Sequence, residues 1–394
     1  MTNNLHILLL THSYTPEDTA PQRRWSGFTK YLVAVGYDVS VVAPQPDPGQ
    51  GAWKTETGDH GERIYRVPGA QSAGTRTGRL LNNILGSLAT IPRALRVKNV
   101  DIVIATVPAL TTAPTGLLVS LLKRRPLILE MRDAWPDLAH DAQLPMNLLR
   151  KTMEAVLEYT QRKADAVITV TQGFAALLRK RGISNVRCIP NGLSDDILQV
   201  TEHPGVLRHE KLQVLYVGNH GESQGLETLL SAAALAAKDI DMTLVGTGTQ
   251  KNALISLAED LQAPATFLDP CSGADLQVCY EAADTCIVSL RPDWPSFLRT
   301  VPSKTYELLA LGRKLTAVLK GEAAELVKRY QPDSVVAADP TQIAAYWAGL
   351  KENPEELVVS IDPEFAVQAS PRSRTASLIA LLKEVVQQPR SHMR

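Results

Sequence analysis

The sequence predicts an α/β protein made of two successive doubly wound units, each a parallel sheet with helices on both faces. Three observations carry this expectation. Short apolar runs alternate with helical stretches in the first half, and the alternation begins again in the second half. A turn signal, Ile189-Pro190-Asn191-Gly192, separates the two arrays. Two such arrays in one chain suggest two Rossmann-like domains.

Residues 7–10 read as a buried strand, 25–35 as a helix ended by Gly36, and 39–43 as the next strand. Residues 102–105 and 127–130 read as strands with a helix at 113–122 between them. A strand at 166–170 and a helix at 173–181, closed by Gly182, complete the first array. The second array has strands at 213–217, 242–245, 266–268 and 285–289 and helices at 226–237, 250–261 and 276–283. Pro302-Ser303-Lys304 opens a further helix that runs to Leu311 and stops at Gly312. Residues 370–387 read as a last helix around Pro371. The expected domains are 1–194 and 195–369, with 370–394 a C-terminal helix and tail.

The chain has 394 residues, with 41 Lys+Arg against 41 Asp+Glu. Zero net charge argues against a dedicated nucleic-acid binder. A hydrophobic content of 44% argues against disorder. The zero is a cancellation: residues 1–200 hold 23 basic and 17 acidic residues (+6), and 201–394 hold 18 and 24 (−6). Such asymmetry fits either drift in surface charge or a charged partner for one half. The cysteines Cys188, Cys271, Cys279 and Cys286 show no C-x-x-C or zinc spacing. They read as small buried hydrophobes in a reducing, cytoplasmic compartment. No signal-peptide pattern is present, and no apolar run approaches the ~20 residues of a membrane span. The chain reads as soluble or peripheral.

Open parallel sheets bind ligands at the carboxyl ends of their strands. A dinucleotide-binding G-x-G-x-x-G is not found: Gly246-Thr247-Gly248 is followed by Lys251 at the third position. Two segments suit a diphosphate instead. The first is the glycine-rich turn Gly218-Asn219-His220-Gly221 with Gln224 and Gly225, whose amides can approach phosphate oxygens or can form an ordinary βα turn. The second is Arg299-Thr300-Val301-Pro302-Ser303-Lys304, a helix start with free N–H groups. Lys304 sits where the helix dipole disfavours a cation, which makes sense beside a phosphate. Glu307, one turn on, can accept bonds from vicinal hydroxyls such as those of a ribose, or can simply pair with Lys304.

These strings, in this order and spacing, resemble the retaining glycosyltransferases of family 4, with the GT-B fold. The nearest branch is similar to the bacterial N-acetylfucosaminyltransferase-like enzymes of surface-polysaccharide assembly. The resemblance runs from Thr11-His12-Ser13-Tyr14 through Glu130-Met131-Arg132-Asp133-Ala134-Trp135-Pro136 to Val301-Pro302-Ser303-Lys304 and Glu307. It implies two Rossmann-like domains facing a cleft, with the C-terminal helix crossing back to the first domain. It also implies a nucleotide-sugar donor, commonly a UDP-sugar, on the second domain and an acceptor on the first. Glu307 matches the second Glu of the family's E-x7-E motif; the first position is occupied by Arg299. The family's basic pair is also replaced, by Asn219 and Gln224. Diphosphate charge would then fall to backbone amides, Lys304, His220 and Arg299. The implied reaction is hexosyl or N-acetylhexosaminyl transfer with retention, with Asp133 and Arg132 near the reacting sugar and with His12, Arg23 and Arg24 on the acceptor side. The donor is a substrate, so no cofactor is expected, and no metal site is visible, Asp195-Asp196 reading as a solvated turn.

Residues 75–98 form a basic, partly apolar stretch without an acidic residue. Arg76, Arg79, Arg93, Arg96 and Lys98 flank Leu80, Leu81, Ile84, Leu85, Leu88 and Ile91 at helical spacing. Lys123-Arg124-Arg125 follows another apolar run. These faces suit either the inner surface of an anionic membrane or packing on their own sheet. The branch resemblance implies an undecaprenyl-diphosphate-linked acceptor. Two competing readings are a non-catalytic nucleotide-sugar-binding protein and a nucleotide-sugar isomerase or epimerase of the same fold.

Overall fold

The computed structural model describes residues 5–17, 19–46, 53–68, 76–107, 110–141, 148–195, 203 and 205–387, with only the backbone described for 76–84, 139 and 149. The chain forms two compact units, residues 1–195 with 368–394 and residues 196–367. Both are α/β units built on parallel sheets, as the fold class required.

Unit 1 runs β1 (His6–Leu10), α1 (Ala20–Ala34), β2 (Asp38–Pro44), β3 (Thr55–Thr57), β4 (Arg63–Val67), α2 (Arg76–Arg96) and β5 (Ile102–Val107). It continues with α3 (Thr112–Lys123), β6 (Leu127–Met131), α4 (Asp137–Asp141), α5 (Leu148–Lys163), β7 (Ala166–Thr169), α6 (Gln172–Lys180) and β8 (Val186–Cys188). Its sheet has the order β3-β4-β2-β1-β5-β6-β7-β8, and only the β3–β4 pairing is antiparallel. Side chains alternate across β1. Leu8 and Leu10 pack with Ala94 of α2, Val119 of α3 and Phe174 of α6 on one face. Ile7 and Leu9 pack with Trp25, Phe28 and Leu32 of α1 on the other. Strand order reverses between β1 and β5, so the unit's topological switch point lies at their carboxyl ends.

Unit 2 runs β9 (Leu212–Val217), α7 (Leu226–Leu235), β10 (Ile240–Val245), α8 (Lys251–Asp260), β11 (Ala265–Leu268), α9 (Gly273–Ala282) and β12 (Thr285–Ser289). Then follow α10 (Ser303–Ala310), β13 (Lys314–Val318), α11 (Gly321–Tyr330), α12 (Pro340–Glu352) and α13 (Pro363–Ala369), whose last two residues, Gln368 and Ala369, belong to unit 1. The sheet order is β11-β10-β9-β12-β13, with every pairing parallel. Its switch point lies between β9 and β12. Leu229, Leu230 and Ala233 of α7 and Trp347 of α12 bury one face of this sheet.

The last helix, α14 (Pro371–Gln387), belongs to unit 1. Leu378, Leu381, Leu382 and Val385 recur at i, i+3, i+4 and i+7 and join the core of Ile7, Leu9 and Trp25. Each buried Leu stabilises by about 1.5–3 kcal/mol. The turn Ile189-Pro190-Asn191-Gly192, read from sequence as a boundary, receives this returning chain. Leu193 N–H donates to Ala369 O at 2.9 Å, and the buried Arg374 donates to the carbonyls of Leu193 and Ala369. A Cβ on Gly192 would stand 2.3 Å from Ala369 O, so no other residue fits there without displacing the chain.

Four strands were given no bounds from sequence: β3 and β8, each only three residues long, and β4 and β13, which share a second reason. β4 carries the buried Arg66, whose guanidinium is spent on Glu56 and the carbonyls of Pro44 and Thr15. β13 opens on the buried Lys314, directly after the buried Arg313. Buried cations break the apolar run that marks an interior strand. Of the cysteines, only Cys286 is buried; Cys188, Cys271 and Cys279 are half-buried.

Candidate functional site

In unit 1 the candidate residues follow the carboxyl ends of β1 and β6, at and beside the switch point. Arg132 leaves β6, its N–H reaching Val107 O at the end of β5 at 3.4 Å. Its Nε is buried without a hydrogen-bond partner among the described residues, and so is Nδ1 of His12. Burial, reinforced by the Arg132 charge, pushes the His12 imidazole down to about 4. His12 is therefore neutral at physiological pH, with a free ring nitrogen beside a guanidinium. Asp133 is pushed above the usual carboxylate range by burial, against the pull of Arg132. His12 also lines a cavity of about 160 Å³ with Gln45, Ser87, Thr90 and Thr111. Gln45 Oε1 is another buried acceptor without a partner among the described residues. Gln45 was not found from sequence, because nothing local distinguishes a Gln after a strand.

Arg24 is a correction. It was expected on the acceptor side, but it is only 5% exposed. Its Nε donates to Glu130 Oε1 at 2.8 Å, and its other nitrogens donate to the carbonyls of Pro190 and Ile189 at 2.6 and 2.7 Å. Trp25 Nε1 takes the second Glu130 oxygen at 2.7 Å. Burial alone would raise the Glu130 carboxyl, but Arg24 and Arg132 hold it below its ordinary value. Arg24 thus neutralises a fully buried carboxylate and anchors the 189–190 turn. Its neighbour Arg23 is exposed.

The neutral state of His12 has a measurable consequence. Its folded pKa lies below the unfolded value of 6.5, so the unfolded chain binds the proton more readily. Stability contributed by His12 is complete above pH 6.5 and falls as pH drops toward 4, by at most about 3 kcal/mol. Denaturant melts of wild type and His12→Asn between pH 7 and 4.5 should show a shallower pH slope in the variant. Equal slopes would place the titration elsewhere.

In unit 2 the loop after β9 lies at the switch point. Gly225 has φ of +59°, which favours glycine. The loop is seated against Gly246-Thr247-Gly248, the string that failed as a dinucleotide motif. His220 N–H donates to Thr247 O at 2.9 Å, and Gln250 N–H to His220 O at 2.9 Å. A Cβ on Gly246 would lie 1.9 Å from Gly218 O, and one on Gly248 2.3 Å from His220 O. The two glycines therefore serve close backbone approach. Of the loop amides, those of Gly218, His220, Gln224 and Gly225 are spent internally. Those of Asn219 and Gly221 have no partner among the described residues.

His220 is a second correction. Its ring is fully buried, 5.9 Å from Tyr216 and 6.0 Å from Phe267. Burial, then the Lys251 charge, keeps its pKa below the ordinary value. Its buried ring shapes the loop, and its lowered pKa disfavours the charged form that would meet a phosphate. Asn219 is exposed, and its side chain lies 3.5 Å from Gln224 Oε1. Gln224 is held through its carbonyl, which accepts from Ser289 Oγ at 2.6 Å at the end of β12.

The start of α10 also follows β12. Pro302 caps it with no side-chain hydrogen bond, and Ser303 is exposed in its first turn. Lys304 Nζ lies 3.1 and 3.0 Å from the two Glu307 oxygens, so the i, i+3 pair is formed. Tyr280 of α9 closes a triangle: Lys304 donates to its hydroxyl at 2.9 Å, and that hydroxyl donates to Glu307 Oε1 at 3.2 Å. Tyr280 carried no sequence signal, since its partners lie 24 and 27 positions away. Val301 is buried and so offers a ligand only its backbone, and Thr300 Oγ1 donates to Ser296 O and so can only accept from a ligand. Arg299 is half-buried at the end of a 3-10 turn, Pro295–Arg299.

The basic stretch is a helix, α2, as expected; Thr75 lies outside the described residues, as do the side chains of Arg76, Arg79, Leu80, Leu81 and Ile84. Arg93, counted on its basic face, is buried against the carbonyls of Trp53 and Lys54 and over the Tyr65 ring. Ala94 packs inward, but Leu85, Leu88 and Leu95 are 54%, 57% and 40% exposed. On the adjoining α3, Leu118, Leu121 and Leu122 are exposed on one face, and Arg124 and Arg125 follow. No helix among the described residues is long and apolar enough to cross a membrane.

Comparison with known proteins places this arrangement. Residues 19–192 match a model described as a glycosyl transferase 4-like domain, and residues 211–353 match one described as glycosyl transferases group 1. The chain is 25% identical over 383 residues to the putative colanic acid biosynthesis glycosyl transferase WcaI of Escherichia coli, covering 88% of this chain and 92% of that one. It resembles the structure of sucrose-phosphate synthase from Thermosynechococcus elongatus, with a TM-score of 0.71, 17% identity and coverage of 97% and 98%. It also resembles Anabaena HepE in complex with UDP-glucose, with a TM-score of 0.67, 18% identity and coverage of 97% and 99%.

Proposed function

We propose, for a chain that belongs to the glycosyltransferases of the GT-B fold, a specific reaction: transfer of a hexosyl or N-acetylhexosaminyl group from a UDP-sugar to a lipid-linked sugar, with retention at the anomeric carbon. The observation that carries the donor side is the start of α10, where uncapped amides, Lys304 and Glu307 meet at the switch point of unit 2. A diphosphate placed there takes the Ser303 and Lys304 N–H groups, Thr305 N–H being spent on Pro302 O, with the Asn219 and Gly221 amides available after β9. Lys304 then turns from Glu307 to phosphate, and the freed carboxylate accepts from the ribose hydroxyls. The complex of HepE with UDP-glucose supports a uridine donor, and the likeness to the putative colanic acid glycosyl transferase WcaI supports a place in surface-polysaccharide assembly.

In the reaction, the acceptor oxygen bonds to the anomeric carbon as the bond to the diphosphate breaks. The leaving diphosphate takes the acceptor proton on the same face. Charge grows on the diphosphate, so fixed donors aimed at it lower the barrier. Within unit 1, Arg132 and Asp133 supply charged groups for the acceptor, and His12 and Gln45 receive acceptor hydroxyls at their unpaired atoms. A thermal-shift panel of nucleotide sugars is the test, since a ligand bound only by the folded chain raises its melting temperature. UDP-sugars should shift it, and the shifting sugar should transfer to a polyprenyl-diphosphate-linked acceptor with its anomeric configuration kept. Tight binding without transfer would favour a non-catalytic binder; donor conversion without acceptor would favour an isomerase.

The exposed leucines of α2 and α3, with Arg124 and Arg125 beside them, support a peripheral place on the anionic inner surface of the cell membrane. Replacing Leu88, Leu121 and Leu122 by Ser should abolish co-sedimentation with phosphatidylglycerol vesicles, and salt should weaken the wild-type binding. Unchanged sedimentation of the triple variant would remove the membrane role. Arg93 is unsuited to such a test because it is buried.

A further inference from the structure

The amino edge of the unit 1 sheet holds a cavity of about 760 Å³ that the transfer reaction does not use. It is lined by the first residues of three strands, His6 of β1, Asp38 of β2 and Arg63 of β4, and by Asp101 and Arg125 just ahead of β5 and β6. These strands are parallel, so the cavity lies at the edge opposite to His12 and Arg132. Its size falls in the range of about 300–1,000 Å³ usual for small-molecule sites.

Its charges are unbalanced. Arg63, Arg96, Lys98 and Arg125 line it against Asp38 and Asp101. Asp101 is already engaged: Oδ2 accepts from the His6 backbone N–H at 2.9 Å, and Oδ1 lies 3.7 Å from Arg125. The His6 ring is engaged too, 3.2 Å from Asn99 O and 2.8 Å from Ser40 Oγ. The side chains of Arg63, Arg96 and Lys98 make no hydrogen bond or ion pair among the described residues, which leaves three cations in the wall with Asp38. The helix dipole favours cations at the end of α2. Yet Lys123 Nζ already donates to the last carbonyls there, Leu95 O and Val97 O, and Arg63 comes from a strand. Tyr37 and Tyr65 add two rings to the wall.

We propose that this cavity is a second ligand site, taking an organic phosphate with about two negative charges and a ring that lies against Tyr37. The phosphate is either that of a soluble metabolite or that of a lipid headgroup. The probe is phenyl phosphate, which joins a dianion to an aromatic ring. Calorimetry and thermal shift would compare wild type, Lys304→Ala and the triple variant Arg63→Ala/Arg96→Ala/Lys98→Ala. Phenyl phosphate should bind wild type and Lys304→Ala alike, and at least about 10-fold more weakly to the triple variant, whose UDP binding stays unchanged. The three side chains are exposed, and Arg63→Gln/Lys98→Gln provides a milder variant if the triple does not fold. Vesicles of phosphatidylcholine with and without phosphatidate separate the sources: binding that needs phosphatidate and is competed by phenyl phosphate assigns the headgroup. Phenyl phosphate binding without vesicle binding assigns a soluble ligand. No binding to the Lys304→Ala chain, or equal affinity in the charge variants, would overturn the site.

Discussion

Lys304→Ala should lower kcat/KM for the nucleotide-sugar donor by about 100- to 1,000-fold, the range seen when one preorganised donor to developing charge is removed. Lys304 is the cation in the first turn of α10, a place where the helix dipole makes it costly without an anion. In the ligand-free chain that cost is offset by Glu307 at 3.0 Å and by the Tyr280 ring, whose centroid lies 5.6 Å from Nζ. The ion pair is about a quarter exposed on both sides, so its loss should change stability by less than about 1 kcal/mol. The split between a large kinetic effect and a small effect on folding is the diagnostic. Steady-state kinetics over a donor titration and a denaturant melt measure the two. Wild-type kinetics in the variant would leave the diphosphate to backbone amides alone.

Arg24→Met should destabilise unit 1 by about 3–5 kcal/mol, because it strands a buried carboxylate. Glu130 is fully buried, and without Arg24 it keeps the Trp25 Nε1 bond and the more distant Arg132 charge. The double variant Arg24→Met/Glu130→Gln should recover much of the loss, since a neutral pair needs no compensation. The sign of the pH effect follows from Glu130. Its folded pKa is below the ordinary value, so its contribution is present above about pH 4.3 and is lost as pH falls through the folded pKa. That window lies below the one assigned to His12. Urea melts of the single and double variants at pH 7 and near pH 4 check both claims. An Arg24→Met chain as stable as wild type would mean that Glu130 is held by other groups.

Much of the molecule was legible in its residue order. The alternation of apolar runs with amphipathic stretches is a local signal, and it located most strands within a residue or two. Glycine punctuation worked for the same reason: Gly36, Gly182 and Gly312 all take the positive φ that ends a helix. The start of α10 was readable because Pro, Ser and the following charges act within one turn. Of the strands that escaped, Thr55–Thr57 and Val186–Cys188 are only three residues long, while Arg63–Val67 and Lys314–Val318 each carry a buried cation, which local pattern counts as surface.

The roles of single side chains were less legible. Arg23 and Arg24 are adjacent and chemically identical, yet one is exposed and the other is spent on a carboxylate 106 positions away. His220 reads as a phosphate ligand in its glycine-rich loop, but Tyr216 and Phe267 enclose it. Gly246 and Gly248 read as a failed cofactor motif, and their use became evident only when the 218–221 loop was found lying against them. The +6 balance of the first half also divided on folding: Arg24, Arg66 and Arg93 went inside, while Arg63, Arg96 and Lys98 stayed at the amino edge of the sheet. Fold class, most of the element order and the start of α10 were thus set by residues that act within a turn or a strand. Burial and partnership, which decide whether a charge holds a ligand or holds the fold, were settled only by tertiary packing, because both depend on groups that chain order keeps far apart.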